Sequence, residues 1–179
     1  MARDRRGRRM GLMGWGIVPD WKDTPSRPLI NARAESVARR PSFADAFSRH
    51  RCLVPADGFY EWKRMSDGSK TPHWIHPIGG GPLAFAGIWE TWTRLGVTSH
   101  GFAIITTEAS ADVREVHDRM PAVVGATEFA RWLDPSTRAD VLAGIMEPAP
   151  QGTFACRRVS RRVNQTREDD PLLIEAEPA

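Results

Sequence analysis

The chain has 179 residues, 41% of them hydrophobic and 26% charged, a size and balance that fit one folded domain, residues 1–179, and exclude a disordered chain. Its 25 Lys and Arg against 22 Asp and Glu leave a net charge of +3, and the bases are almost all arginine, whose planar fork suits phosphate. No run of about 18 apolar residues occurs and the arginine-rich start has no signal-peptide core, so no membrane partner and a cytoplasmic location are expected.

The first distinctive segment, Trp15-Gly16-Ile17-Val18-Pro19, is turn-rich, and Asn31-Ala32-Arg33-Ala34-Glu35 follows it. A helix is predicted over Pro41–Arg49, with Phe43, Ala46 and Phe47 on one face. Short alternating or wholly apolar runs then predict strands at Cys52–Ala56, Phe59–Arg64, His73–His76, Leu83–Trp89 and Phe102–Thr106, with Asp67-Gly68 as a hairpin turn between the second and third. Ser110–Val116 reads as a helix begun by a capping serine, and Ala122–Val124 as a strand. A helix from Thr127 carries Phe129, Trp132 and Leu133; another is expected over Pro135–Ile145, with proline at its first position. Strands at Phe154–Val159 and Leu172–Ile174 close the chain. Cys52 and Cys156 are too few and too far apart for a disulfide framework or a metal knuckle, and both are expected to be reduced and buried.

Three polar residues stand in apolar surroundings. Glu61, between Phe59-Tyr60 and Trp62, is either a proton-shuttling carboxyl whose pKa burial raises, or an outward-facing member of an alternating strand. His117 lies where the Ser110–Val116 element stops, as a general acid or base or as a complement to a helix dipole. Asn31 either bonds a substrate or caps a turn, and Arg33 either meets phosphate or pairs with Glu35. His73 and His76 share one strand without a carboxylate at ligand spacing, so no metal is expected. The absence of GxSxG, P-loop and GxGxxG patterns argues against a nucleotide cofactor, and none of any kind is expected. The arginines at 5, 6, 8 and 9, at 33, 39 and 40, and at 157, 158, 161 and 162 are either solvated surface or the footprint of a nucleic acid.

Taken in order, Trp-Gly-Ile-Val-Pro-x-Trp, Asn-Ala-Arg-Ala-Glu, Arg-Cys-Leu-Val-Pro-Ala-Asp-Gly-Phe-Tyr-Glu-Trp, Phe-Ala-Gly-Ile-Trp-Glu, Ile-Ile-Thr-Thr-Glu-Ala, His-Asp-Arg-Met-Pro and Val-Ser-Arg-Arg-Val-Asn resemble the SRAP (SOS-response-associated peptidase) family from Trp15 to about Ile174. The resemblance implies an α+β fold on a curved, barrel-like, mainly antiparallel sheet with a few flanking helices. It implies a DNA-damage role, in which an abasic site in single-stranded DNA is captured covalently by an N-terminal cysteine, through a Schiff base to a thiazolidine. It further implies that Asn31 orients the reacting groups, that Glu61 moves protons during Schiff-base formation, and that His117 assists opening of the sugar ring. Arg33 and Arg119 would hold phosphates, and Trp15 or Trp21 would stack on a base. The family name also implies processing of its own N-terminus.

Members of the family begin Met-Cys-Gly-Arg, whereas this sequence begins Met-Ala-Arg. Neither Cys52 nor Cys156 carries the α-amine that closes a thiazolidine ring, so the chain as written is expected not to form one. A shortened chain that keeps the groove would act instead as a non-covalent single-strand-binding module, or through the α-amine of Ala2 alone.

Overall fold

A computed structural model of the chain describes residues 2–4, 7–18, 27–94 and 96–177. In chain order the elements are β1 (Ala2–Asp4), β2 (Gly7–Arg9), β3 (Gly14–Trp15), β4 (Asn31–Arg33), α1 (Ala44–Arg49), β5 (Arg51–Ala56), β6 (Phe59–Arg64), β7 (Lys70–Pro77), β8 (Leu83–Arg94), β9 (Val97–Glu108), β10 (Arg119–Pro121), α2 (Phe129–Leu133), α3 (Ala139–Ile145) and β11 (Phe154–Arg158). The class is α+β and the strand pairing mainly antiparallel, as the resemblance implies, but the sheets are open and not closed into barrels. The chain divides into two compact units: residues 1–55, 84–107 and 121–148, and residues 56–83, 108–120 and 149–179.

The first unit is built on the long β8–β9 hairpin, paired from Gly87↔Ile104 to Arg94↔Val97. The hairpin runs beyond the predicted strands because Thr91, Thr93, Val97 and Thr98 are β-branched and extend the ladder past Trp89 and Phe102. β8, β5, β1 and β2 continue the sheet from β9. β3 and β4 add to β9 in parallel, with Trp15 opposite Phe102 and Asn31 to Arg33 opposite Ile104 to Thr106. Ile88, Ile105 and Val37 are fully buried against Phe43 and Phe47, the face predicted for the first helix. Trp132 is buried too; its ring meets Phe47 edge-on at 6.2 Å and its Nε1–H donates to the Cys52 carbonyl at 2.8 Å. The helix predicted from Pro135 begins only at Ala139, because the Asp134 carboxylate takes the Ser136 N–H and hydroxyl and the Thr137 N–H bonds the Asp134 carbonyl.

The second unit holds a three-stranded antiparallel sheet in the order β11–β7–β6. Gly58 precedes β6 because β7 passes so close that a Cβ there would lie 2.5 Å from both the Ile75 carbonyl and the Trp74 ring. Two sequence-based expectations fail in this unit. Ser110–Val116 is not an α-helix but a run of consecutive turns, held by Val113 N–H to the Ser110 carbonyl, Val116 N–H to the Val113 carbonyl and His117 N–H to the same Val113 carbonyl. Residues 172–174 are no strand: Pro171–Ile174 form a 3-10 turn, because the Asp170 carboxylate accepts the Leu172 N–H and proline follows it. The bridge that does form in the tail pairs Val159 with Ala176.

No helix of the described residues is long and apolar enough to cross a membrane.

Candidate functional site

Glu61 sits in the middle of β6, directly across from His73 of β7, which in turn faces Arg158 of β11. The alternation that governs a strand puts Tyr60 and Trp62 on the other face, where Tyr60 packs on Trp74 at 4.9 Å and the Trp62 Nε1–H donates to Asn164 Oδ1 at 2.8 Å. Yet Glu61 does not face open solvent. It is half-buried, as are Phe59 to Lys63 on both faces. Lys63 Nζ reaches Glu115 Oε2 at 4.0 Å from the same face as Glu61.

Burial is the main cause that pushes the Glu61 carboxyl above the usual glutamate range. The charge of His117, the Trp62 N–H at 3.3 Å from Oε2, and Lys70 pull it back, and Asp118 adds to the rise. The carboxyl and the imidazole, 56 positions apart in sequence, therefore meet in one unit.

His117 is half-buried and held by its own neighbours. The Arg119 backbone N–H donates to Nδ1 at 3.0 Å, and since a backbone amide only donates, the neutral ring carries its proton on Nε2. When the ring is protonated, Nδ1–H has acceptors in Asp118 Oδ1 at 3.2 Å and the Arg119 carbonyl at 3.3 Å. Nε2 is thus the nitrogen presented outward. Arg119 opens β10 and is half-buried.

The remaining predicted residues lie in the first unit. Trp15 is 56% exposed, its indole parallel to Phe102 at 6.4 Å and tied by Nε1–H to the Ile30 carbonyl at 3.0 Å. On β4, Asn31 and Arg33 are exposed while Ala32 between them is buried. Asn31 caps no turn; it begins a strand, and its amide has no hydrogen-bond partner among the described residues. Trp15, Asn31 and Arg33 therefore form one strip along β9, spanning the register from Phe102 to Thr106, roughly 13 Å at about 3.3 Å per residue. Trp21, like Arg5 and Arg6, falls outside the described residues.

Of the arginines near the end, Arg158 is paired with Glu177 at 2.9 Å and Arg162 with Glu168 and Asp170 at 2.6 and 2.8 Å, so these two are held by internal carboxylates. Neither cysteine offers an activated thiol. Cys52 is buried and its thiol is pushed up to about 12 by that burial, while Cys156 is only half-buried, donates to the Asp112 carbonyl at 3.2 Å, and is likewise raised by burial. A cavity of about 410 Å³ in the second unit, lined by Asp57, Trp74, His76 and Arg157, contains none of the predicted site residues.

Two residues of this site were not singled out by the sequence. His73 was read as uninformative, yet it faces Glu61. Lys70 also acts on that carboxyl, and the strand register brings both residues there.

The sequence profile of the SOS response associated peptidase (SRAP) family matches residues 1–166. The abasic site processing protein YoaM of Bacillus subtilis is 35% identical over 178 residues, covering 97% of this chain and 78% of the relative. The abasic site processing protein YedK of Escherichia coli is 33% identical over 165 residues, covering 90% and 72%. Among solved structures, a protein from Bacteroides thetaiotaomicron superposes with a TM-score of 0.86 at 25% identity, over 93% of this chain and 76% of that one.

Proposed function

The chain belongs to the SOS response associated peptidase (SRAP) family, and from that premise we propose that it recognises abasic sites in single-stranded DNA and acts on the exposed sugar aldehyde. The observation that carries the reading is the half-buried Glu61 carboxyl, kept protonated to higher pH than an exposed glutamate, in the same unit as an imidazole that presents Nε2–H. Opening the abasic sugar breaks the C1′–O4′ bond and moves a proton from the anomeric hydroxyl to the ring oxygen: the protonated His117 ring donates Nε2–H to the ring oxygen, and the neutral imidazole left behind takes up the anomeric proton. Condensation of the aldehyde with an amine then gives a carbinolamine. That intermediate loses hydroxide as water when Glu61 supplies the proton, leaving the iminium.

Asn31 orients the reacting groups with its side-chain amide. Trp15 offers its exposed indole face for base stacking, and Trp21 has the same role by motif. Arg33 and Arg119 hold phosphates. The family match runs through residues of both units, which supports residues 1–179 acting as a single domain. Covalent capture by an N-terminal cysteine, and release of that residue by self-processing, belong to the same proposal as the family's chemistry.

The test is a denaturing gel with three single strands: one with a natural abasic site, one with a tetrahydrofuran analogue that lacks the aldehyde, and one intact. The protein is used as given and with a Met-Cys-Gly-Arg segment ahead of it. A gel-stable species that needs the aldehyde is expected, and Glu61→Ala and His117→Ala slow it by about 10²–10⁴-fold each. Equal retention of intact and abasic strands on native gels, with no covalent species from either protein, would make the reading wrong.

Arg33→Ala makes a separate prediction. Affinity drops for all three strands alike, and the slope of log K against log salt becomes shallower by about 0.7, the contribution of one phosphate on a single strand. An unchanged slope removes Arg33 from the interface.

A further inference from the structure

We propose that Asp112 is a positioning residue that fixes His117 over Glu61 by anchoring the turn segment 110–117 to the start of β11. The proposal rests on the roles given above to Glu61 and His117.

The segment needs an anchor. Among the described residues, the backbone N–H groups of 111–116 make only turn hydrogen bonds, with neither a continuous helical ladder nor a strand partner of their own. Isolated turns of this length have little intrinsic stability in water. Val113 and Val116 are buried beneath the segment, but apolar contact is not directional and does not set the aim of a side chain one residue further on.

Asp112 supplies the direction. Its Oδ1 accepts the Gly152 N–H at 3.0 Å, and its Oδ2 accepts the Thr153 and Phe154 N–H groups at 3.0 and 3.1 Å. Three backbone donors on one carboxylate form a charge-assisted cluster, and their hydrogen bonds hold the Asp112 pKa below the usual aspartate range. The backbone of the same residue is tied as well, since the Cys156 thiol donates to the Asp112 carbonyl at 3.2 Å.

From this clamp a short path leads to each member of the pair. On one side, the next residue's carbonyl, that of Val113, accepts the His117 N–H at 3.1 Å. On the other, Phe154 opens β11, and its ring meets Phe59 edge-on at 6.1 Å, two residues before Glu61 on the same face of β6. Asp112 thus joins the element that carries the imidazole to the sheet that carries the carboxyl, and it touches neither. The sequence held a serine-capped helix at this place; the carboxylate is used for a tertiary clamp instead.

The electrostatic surroundings of Glu61 report the clamp directly. The charged and titratable groups facing it are His117 and Asp118 from the turn segment, Lys70 and His73 from β7, and Lys63 and Glu115 at the rim. The positive charge of His117 is the largest influence opposing burial. If the segment loses its anchor, that influence weakens and the Glu61 titration moves to higher pH.

The experiment follows the Glu61 side-chain carboxyl by carbon NMR across pH in the whole chain, for wild type, Asp112→Ala, Asp112→Asn and Leu142→Ala. Leu142 is a buried residue of the other unit, and its truncation supplies general destabilisation without touching the clamp. The expected result is an upward move of the Glu61 midpoint in Asp112→Ala. A smaller move is expected in Asp112→Asn, whose amide oxygen can still accept two of the three donors while its nitrogen opposes the third, and none in Leu142→Ala. If Asp112→Ala does not fold, Asp112→Asn decides. A Glu61 midpoint unchanged in the folded Asp112 variant, or moved equally by Leu142→Ala, overturns the proposal.

This readout involves no DNA, so it separates failure of the clamp from failure of the functional reading. With abasic DNA, a displaced His117 slows capture by about 10²-fold, the loss typical of a misplacement near 1 Å.

Discussion

Arg51→Ala is expected to remove about 3–5 kcal/mol of stability, because it leaves buried carbonyl acceptors without a donor at about 1–3 kcal/mol each. Arg51 is only 5% exposed, and its guanidinium donates to four backbone carbonyls: Phe47 at 2.6 Å, Ser48 at 3.0 Å, Trp132 at 2.7 Å and Asp134 at 2.6 Å. These carbonyls are the ends of α1 and α2. A helix leaves its last four carbonyls without partners, and one cation at such an end also meets the negative pole of the helix dipole. Arg51 does this for two helices at once, while its stem and head pack on the Phe47 and Trp132 rings, each 5.8 Å from the guanidinium carbon.

Alanine removes this donor from the Phe47, Ser48 and Trp132 carbonyls, the Asp134 carbonyl keeping the Thr137 N–H, and lysine, with a compact ammonium, cannot span the two helix ends. Arg51→Lys therefore recovers well under half of the loss. Against a total stability of about 5–15 kcal/mol, urea unfolding detects either outcome readily. Arg138→Ala, which removes an exposed ion pair with Asp140, is the contrast and changes stability by less than about 0.5 kcal/mol. A loss below about 1 kcal/mol for Arg51→Ala would mean that these carbonyls find water, and that Arg51 does not hold the helices.

The strands of this protein were legible because alternation and apolar runs survive in them: Phe59–Arg64 was read with the bounds it has, and Phe43 and Phe47 were placed on the correct face. Two of the misread segments share one physical cause: a short carboxylate takes a backbone N–H at the start of the expected element, Asp134 that of Ser136 before α3 and Asp170 that of Leu172. Spacing of apolar residues is blind to this competition. Val113 and Val116, three apart, satisfy a turn run as well as a helix.

The pairing around Glu61 shows how far a turn signal reaches. A two-residue turn at Asp67-Gly68 would pair Ser66 with Ser69 and set Glu61 opposite Trp74. The Met65 N–H instead donates to Ser69, and Gly68 takes a left-handed conformation at φ 82°, so the loop holds three residues and the register slips by one. That slip puts His73 across from Glu61. The motif order alone joined Asn31, Glu61 and His117 to one chemistry. In the structure, Glu61 and His117 share a unit because the 108–120 segment returns to the β6–β7 hairpin, a long-range fact that no local spacing contains.

Glu61→Gln should move stability and activity in opposite directions, the signature of a residue kept for chemistry and not for the fold. The folded-state pKa of Glu61 is raised, burial being the largest cause, so the native chain holds this proton more tightly than the unfolded chain does. Its contribution to stability is therefore fully present below the unfolded value of about 4.3, and it is lost as pH rises through the folded value. At neutral pH the wild-type protein carries the cost of a half-buried carboxylate. Glutamine keeps the shape and the carbonyl acceptor for the Trp62 N–H without a charge. The variant is expected to melt higher than wild type at pH 7, and the gap should close as the pH is lowered toward 4. Its capture of abasic DNA falls by about 10²-fold or more, because an amide cannot supply the proton that releases water from the carbinolamine. Thermal melts at several pH values, run beside the denaturing-gel assay, read both quantities from one preparation. A variant that loses stability at pH 7 together with activity would make Glu61 a structural residue of the β6–β7 sheet, with its proton-transfer role withdrawn.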